Sequence, residues 1–343
     1  MQVRNDLQLR NNTSKTYSNV PSFGGGGEFL NRLTQVIPDT KVSKGLTQLD
    51  KNCFQSYVYS MKFKLGTTAQ EIQNLCKLQG EDFVNGAYEL LTKKMGIPDE
   101  IKPPLIPQEQ SPVAPMRYLF NYNAITRNPD LSNLSQAEVF NGLRHELQHF
   151  KQNMDIFRHE KLGEKVVDIH VNGLVESQKA VIKHLLASMS PEELAQNGYL
   201  ASEDAYNMVV RCKKHLENND IAAFDKEFES MAPAFRQEVS AFRQKVVNSM
   251  GLIKENTKEA QRAEHYFDDF QNINYFDTNG GVDYAKYMAS GIEQEALLAG
   301  ERAGFEFSGE GCMVKFSRNK FKEAAFSQDE EVQKMFADLE KRQ

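Results

Sequence analysis

From Tyr57 to Leu65 the apolar side chains fall on alternate positions, Tyr57, Tyr59, Met61, Phe63 and Leu65, with Ser60, Lys62 and Lys64 among the intervening residues. A period of two predicts a β-strand with one buried face. The pattern then turns helical. Thr68 and Glu71 form a capping box ahead of one helix, and a second helical pattern runs from about Glu81 to Lys94. Six of the eleven prolines lie between Pro98 and Pro115. Proline fixes φ and removes an amide donor, so this stretch is an extended connector, neither helix nor inner strand. It leads into Met116 to Arg127, a second predicted strand, which Asn128-Pro129-Asp130 ends with turn chemistry.

Ser135 and Glu138 make another capping box and open a helix expected from Gln136 to about Phe157. Glu160 to Phe270 is almost entirely helix-patterned, with Ser190-Pro191-Glu192-Glu193 marking a restart. Asn272 to Gly281 is rich in turn residues. A further helix is expected from about Asp283 to Gly304, Cys312 to Phe316 reads as a short strand, and Ser327 opens a terminal helix. At the other end, residues 1–27 are polar and finish in the four glycines Gly24 to Gly27, too rich in backbone entropy to lie inside an ordered element. The expected fold class is therefore α+β, dominated by helix. Its parts are a Gly-rich tail (1–27), a core with strands and the key helix (28–158), a helical insertion (159–275), a closing segment (276–326) and a C-terminal helix (327–343).

Composition narrows the function. Hydrophobic residues make up 40% and charged residues 26%, the balance of a globular chain. The net charge of −6 and pI near 5.8 give no basic footprint for nucleic acid. No stretch reaches the roughly 18 apolar residues of a membrane span. Cys53, Cys76, Cys212 and Cys312 are far apart and form neither a disulfide framework nor a cysteine metal site. Reduced thiols and a polar N-terminus without an apolar signal core predict a cytoplasmic location, with signal-independent export as the other route.

The candidate chemistry lies in His145-Glu146-Leu147-Gln148-His149. Residues four apart on a helix point the same way, so both imidazoles can reach one ion. Glu146, rotated about 100° from His145, can lie beside that ion and take a proton from water. The bland alternative is a helix that merely carries two histidines one turn apart.

With Glu293-Gln294-Glu295-Ala296 downstream, this motif resembles the gluzincin branch of the zincin metallopeptidases. The resemblance covers Met116 to Phe157 and Tyr284 to Phe307. It implies a zincin-like core, a small sheet over an active-site helix, and one Zn²⁺ per chain held by His145, His149 and Glu293, with Glu146 as general base. Glu295 is the rival third ligand. Leu297 stands where the branch's fuller pattern has Asp, so the partner of the ligand histidines is open. Tyr287 is the expected oxyanion stabiliser, with Tyr284, His265 and Arg302 as competitors. A third histidine ligand six residues after His149 is excluded, because Asp155 stands there. His159, His170, His184, His215 and His265 read as surface or satisfied histidines.

These observations lead to one expected function, a zinc metallopeptidase acting on a peptide or protein substrate. Two alternatives stand beside it: a catalytically silent zincin-fold protein that binds a partner through its helical region, and a metal-dependent hydrolase with a non-peptide substrate.

Overall fold

A computed structural model describes residues 59–110, 115–200, 202–271 and 290–308, with positions 330 and 334. In chain order the elements are α1 (Ala69–Cys76), α2 (Gly80–Lys94), β1 (Leu105–Pro107), β2 (Met116–Leu119), β3 (Ala124–Arg127), α3 (Gln136–Arg158), α4 (Leu162–Leu186), α5 (Pro191–Gln196), α6 (Glu203–Glu217), α7 (Ile221–Glu229), α8 (Ala232–Met250), α9 (Lys258–Gln271) and α10 (Gly291–Ser308). Helix dominates and a small mixed sheet accompanies it, an α+β chain. It packs into two units, one made of 120–122 with 156–260, the other of the remaining described residues.

Helices begin where a side chain can take up the amides that a first turn leaves over. Thr68 and Glu71 close a reciprocal capping box at α1, and Ser190 and Glu193 do so at α5. At α3, Ser135 Oγ accepts from the Glu138 amide at 3.2 Å and Glu138 Oε2 accepts from the Ser135 amide at 2.7 Å. All three boxes stand where the sequence pattern puts them.

In the unit that carries α3, β3 is the central strand, with β1 parallel on one side and β2 antiparallel on the other. β3 is buried along its whole length, and the guanidinium of its Arg127 is paired with Glu81 of α2. Apolar packing joins three helices: the Phe307 ring of α10 lies 5.2 Å from Phe140 of α3 and 5.9 Å from Phe83 of α2.

Two strand expectations are corrected here. Met116 to Arg127 is not one strand but two, folded back on each other through a 3₁₀ turn at Phe120–Tyr122. Asn123 makes the reversal at φ 47°, a left-handed conformation that asparagine tolerates better than most residues. Tyr59 to Leu65 is not a strand either; it forms a helical turn with 3₁₀ residues at Met61–Phe63. In place of a ladder, the Lys64 amide donates to the Met61 carbonyl, and Glu306 of α10 accepts from the Leu65 amide at 2.9 Å and the Thr67 amide at 3.2 Å. The alternation of partly buried and exposed residues from Met61 to Leu65 survives without the strand. Conversely, β1 lies inside the proline-rich connector, where an edge position excuses the amides that proline lacks.

The helical unit has an apolar centre built from α4 to α7: Val175, Ile182, Leu185, Leu186, Leu194, Val209, Cys212, Phe224 and Phe228. At about 25 cal/mol per Å² of apolar surface, each large side chain here contributes roughly 2–3 kcal/mol. Burial pushes the Cys212 thiol up to about 11, so it acts as a small hydrophobe. Among the described residues no helix is long and apolar enough to cross a membrane. The tail 1–27, the turn-rich 272–281, the first residues of the helix expected from Asp283 and the strand at 312–316 lie outside the described residues, as do Cys53 and Cys312. So does the helix from Ser327, except that positions 330 and 334 are helical.

Candidate metal centre

α3 is unusual in what it buries. Phe140, Leu143, Leu147, Phe150 and Met154 are fully enclosed, as a core helix requires. Yet Asn141, Arg144, His145, Glu146, Gln148, Gln152 and Asn153 on the same helix are buried as well. Polar groups taken out of water cost several kcal/mol unless they find partners. The partners define the site.

His145 and His149 lie one turn apart, and their Nε2 atoms approach to 2.9 Å. Glu293, from the first turn of α10, joins them, with one carboxylate oxygen 3.1 Å from His149 Nε2 and the other 3.5 Å from His145 Nε2. Two imidazole nitrogens and a carboxylate thus offer three ligand atoms within 4.8 Å of one another. With one proton between them the two nitrogens make an N–H···N hydrogen bond; with none, both lone pairs are free for a common acceptor. As donors to a common cation they fit. The cluster could hold a metal ion, and nitrogen with oxygen is a donor set for a first-row divalent ion. His145 and Glu293 are almost wholly enclosed, while His149 keeps 13% of its side chain exposed and marks the solvent side.

Glu146 sits beside this group. Its Oε1 lies 4.0 Å from His145 Nε2, and its Oε2 accepts a 2.6 Å hydrogen bond from the Tyr118 amide of β2. Burial pushes its carboxyl up to about 7; the His149 charge opposes the rise and Glu293 adds to it. The two histidines part company. Burial, with His149 alongside, drives His145 down to its neutral form. Burial also opposes charge on His149, but Glu293 overrides it and holds that imidazole above its ordinary range.

Further polar groups brace the cluster. Gln152 Oε1 accepts from His149 Nδ1–H at 3.1 Å, and its Nε2 donates to the Ile292 carbonyl at 3.0 Å, next to Glu293. Asn153 donates to the Tyr118 hydroxyl at 2.7 Å, and that hydroxyl donates to Asn123 at 2.8 Å, which fixes β2 against α3. None of these residues was singled out from the sequence. Gln152 carried a signal nonetheless, a polar residue one turn beyond His149 on a face that must be buried if His149 is.

α10 can deliver Glu293 because it carries small residues toward α3. A Cβ on Gly300 would collide with the Asn141 side chain and meet the Asn141 carbonyl at 3.0 Å. Ala296, Ala299 and Ala303 are fully buried. Glu295, the rival ligand, is engaged elsewhere: Lys62 Nζ lies 2.6 Å and the Tyr266 hydroxyl 2.5 Å from its two oxygens. Among the described residues the three-ligand group contains Glu293 and not Glu295. Leu297 is buried and apolar, so it gives the histidines no hydrogen bond.

The other candidates fall into place around this centre. Tyr287 and Tyr284 lie outside the described residues. Arg302 is buried with its Nε 3.2 Å from Glu306, and His265 is largely exposed, 3.6 Å from Asp269. His159 Nδ1 accepts from the Lys161 and Leu162 amides at the start of α4. His170 lies between the Phe120 and Phe157 rings, 4.1 and 4.8 Å away. No family model matches the chain, and neither the curated proteins nor the solved structures contain a match to it.

Proposed function

We propose that this chain is a zinc metallopeptidase of gluzincin type, with His145, His149 and Glu293 as the metal ligands and Glu146 as the general base. The observation that carries the reading is the convergence of Glu293 on two imidazoles of an H-E-x-x-H helix. Ligand atoms around a tetrahedral zinc with bonds of about 2.0–2.1 Å stand roughly 3.3 Å apart. The separations of 2.9, 3.1 and 3.5 Å bracket that spacing. Three protein ligands leave a fourth position open, as a catalytic site requires.

Zinc, when bound, supplies Lewis acidity, which polarises a carbonyl and makes a water molecule acidic near neutral pH. The chain's own residues do the rest. The Tyr118 amide anchors one oxygen of Glu146 and leaves the other turned toward the histidines. A carboxylate in this position is placed to accept a proton from water and return it to a departing amine. Among the described residues β2 pairs with β3 alone, and on its other edge the Tyr118 amide is taken by Glu146. An extended peptide can lie along such an edge through main-chain hydrogen bonds, which favours a peptide over other hydrolysable substrates.

The test is digestion of a mixed peptide library by the zinc-loaded chain, with metal content measured in parallel. Glu146→Gln is expected to keep its zinc and lose turnover. Cleavage by Glu146→Gln at the wild-type rate contradicts the assignment of the base, and zinc bound without turnover in the wild type favours the partner-binding alternative.

A further inference from the structure

We infer that Gln152 is a positioning residue of the metal centre, holding the His149 ring with a neutral amide. The inference rests on the zinc reading above and deepens it. A ligand imidazole almost always gives its other N–H to an acceptor, which fixes the tautomer and the ring's orientation. For His149, whose Nε2 faces Glu293, that acceptor must stand at Nδ1. Gln152 Oε1 stands there, at 3.1 Å. The amide of Gln152 has a second contact that settles which way round it lies. Its Nε2 donates to the Ile292 carbonyl at 3.0 Å, so the oxygen is the end turned to His149. One side chain therefore orients a ligand on α3 and ties it to the residue preceding the ligand on α10. Gln152 is itself 2% exposed, so solvent does not compete for either bond.

A carboxylate in this place makes the imidazole more basic and cancels one positive charge of the centre; an amide orients the ring and does neither. The centre should consequently hold its ion less tightly than the same ligands backed by a carboxylate would.

The experiment is zinc affinity by competition with a chromophoric chelator, together with the absorption spectrum of the cobalt-substituted chain, for the wild type, Gln152→Ala and Gln152→Glu. Gln152→Ala is expected to weaken zinc binding by roughly 10- to 100-fold, the range of such outer partners, and to alter the cobalt spectrum. Gln152→Glu keeps an acceptor at Nδ1 but gives up the donor to the Ile292 carbonyl, so it is expected to hold zinc more tightly than Gln152→Ala does. Wild-type affinity and an unchanged cobalt spectrum in Gln152→Ala would overturn the inference, as would a Gln152→Glu chain that loses zinc as far as Gln152→Ala does. If Gln152→Ala fails to fold, the near-isosteric Gln152→Glu decides alone, a loss of roughly 10- to 100-fold counting against the inference. A wild type that binds no zinc defeats the metal reading itself, an outcome distinct from either of these.

Discussion

In the helical unit the interior is almost wholly apolar; around α3 apolar side chains share it with a row of buried polar ones. Among the described residues, the helical unit buries His159 and His170 as its polar side chains, the first capping a helix and the second held between two rings. α3 alone buries Arg144, His145, Glu146, Gln148, Gln152 and Asn153, and α10 adds Glu293, Glu301 and Arg302. The apolar arrangement is the cheaper way to stabilise a fold, since charges lose their water on burial and pairing often only breaks even. A polar interior that stays is therefore a sign of chemistry more than of stability. The contrast between His145 and His170 makes the same point within one residue type. Both are pushed down by burial, but His170 faces aromatic rings while His145 faces a second imidazole and a carboxylate.

The comparison can be broken at either end. The largest effect is expected for Glu146→Gln, which should lower peptide turnover by about 10²- to 10⁴-fold, the usual weight of a general base, with zinc content unchanged. Next comes the apolar unit: Phe228→Ala should cost about 3–5 kcal/mol in denaturant unfolding, because Phe228 is fully enclosed. Metal content should not change.

A pH experiment sharpens the histidine contrast. Burial pulls His170 from 6.5 down to about 3, so the unfolded chain takes up a proton well before the folded one does. Its contribution is fully present above pH 6.5 and is lost as pH falls toward 3. At about 1.4 kcal/mol per unit the loss by pH 4 is on the order of 3 kcal/mol. Unfolding of His170→Phe followed between pH 7 and pH 4 should show a correspondingly flatter slope than the wild type. The smallest effect belongs to Glu295→Gln, which loosens the partly exposed contacts with Lys62 and Tyr266. It should cost less than about 1 kcal/mol and release no zinc; zinc loss here would make Glu295 the ligand after all.

What could be read from the sequence was what local chemistry decides. Capping boxes at Thr68, Ser135 and Ser190 place three helix starts, and the histidine spacing on α3 needs only helical geometry. The E-x-x-A pattern and the small residues after it marked α10, although choosing between Glu293 and Glu295 required knowing which of them Lys62 and Tyr266 occupy. Nonlocal pairing defeated the same approach. Tyr59 to Leu65 alternates like a strand, yet it winds into a 3₁₀ turn, and the carboxylate of Glu306, distant in sequence, takes the Leu65 and Thr67 amides. The reversal at Asn123 hid inside a run of good strand formers, and β1 hid among prolines that only an edge position permits. Gln152 was missed because an amide carries no charge and belongs to no motif, although its spacing from His149 pointed to it.

The most direct measurement is the zinc content of the purified chain and of Glu293→Ala, by elemental analysis after dialysis against metal-free buffer. About one zinc per chain in the wild type and none in Glu293→Ala is the predicted result. A wild type without zinc, or a Glu293→Ala chain that retains it in full, would contradict a centre built from His145, His149 and Glu293.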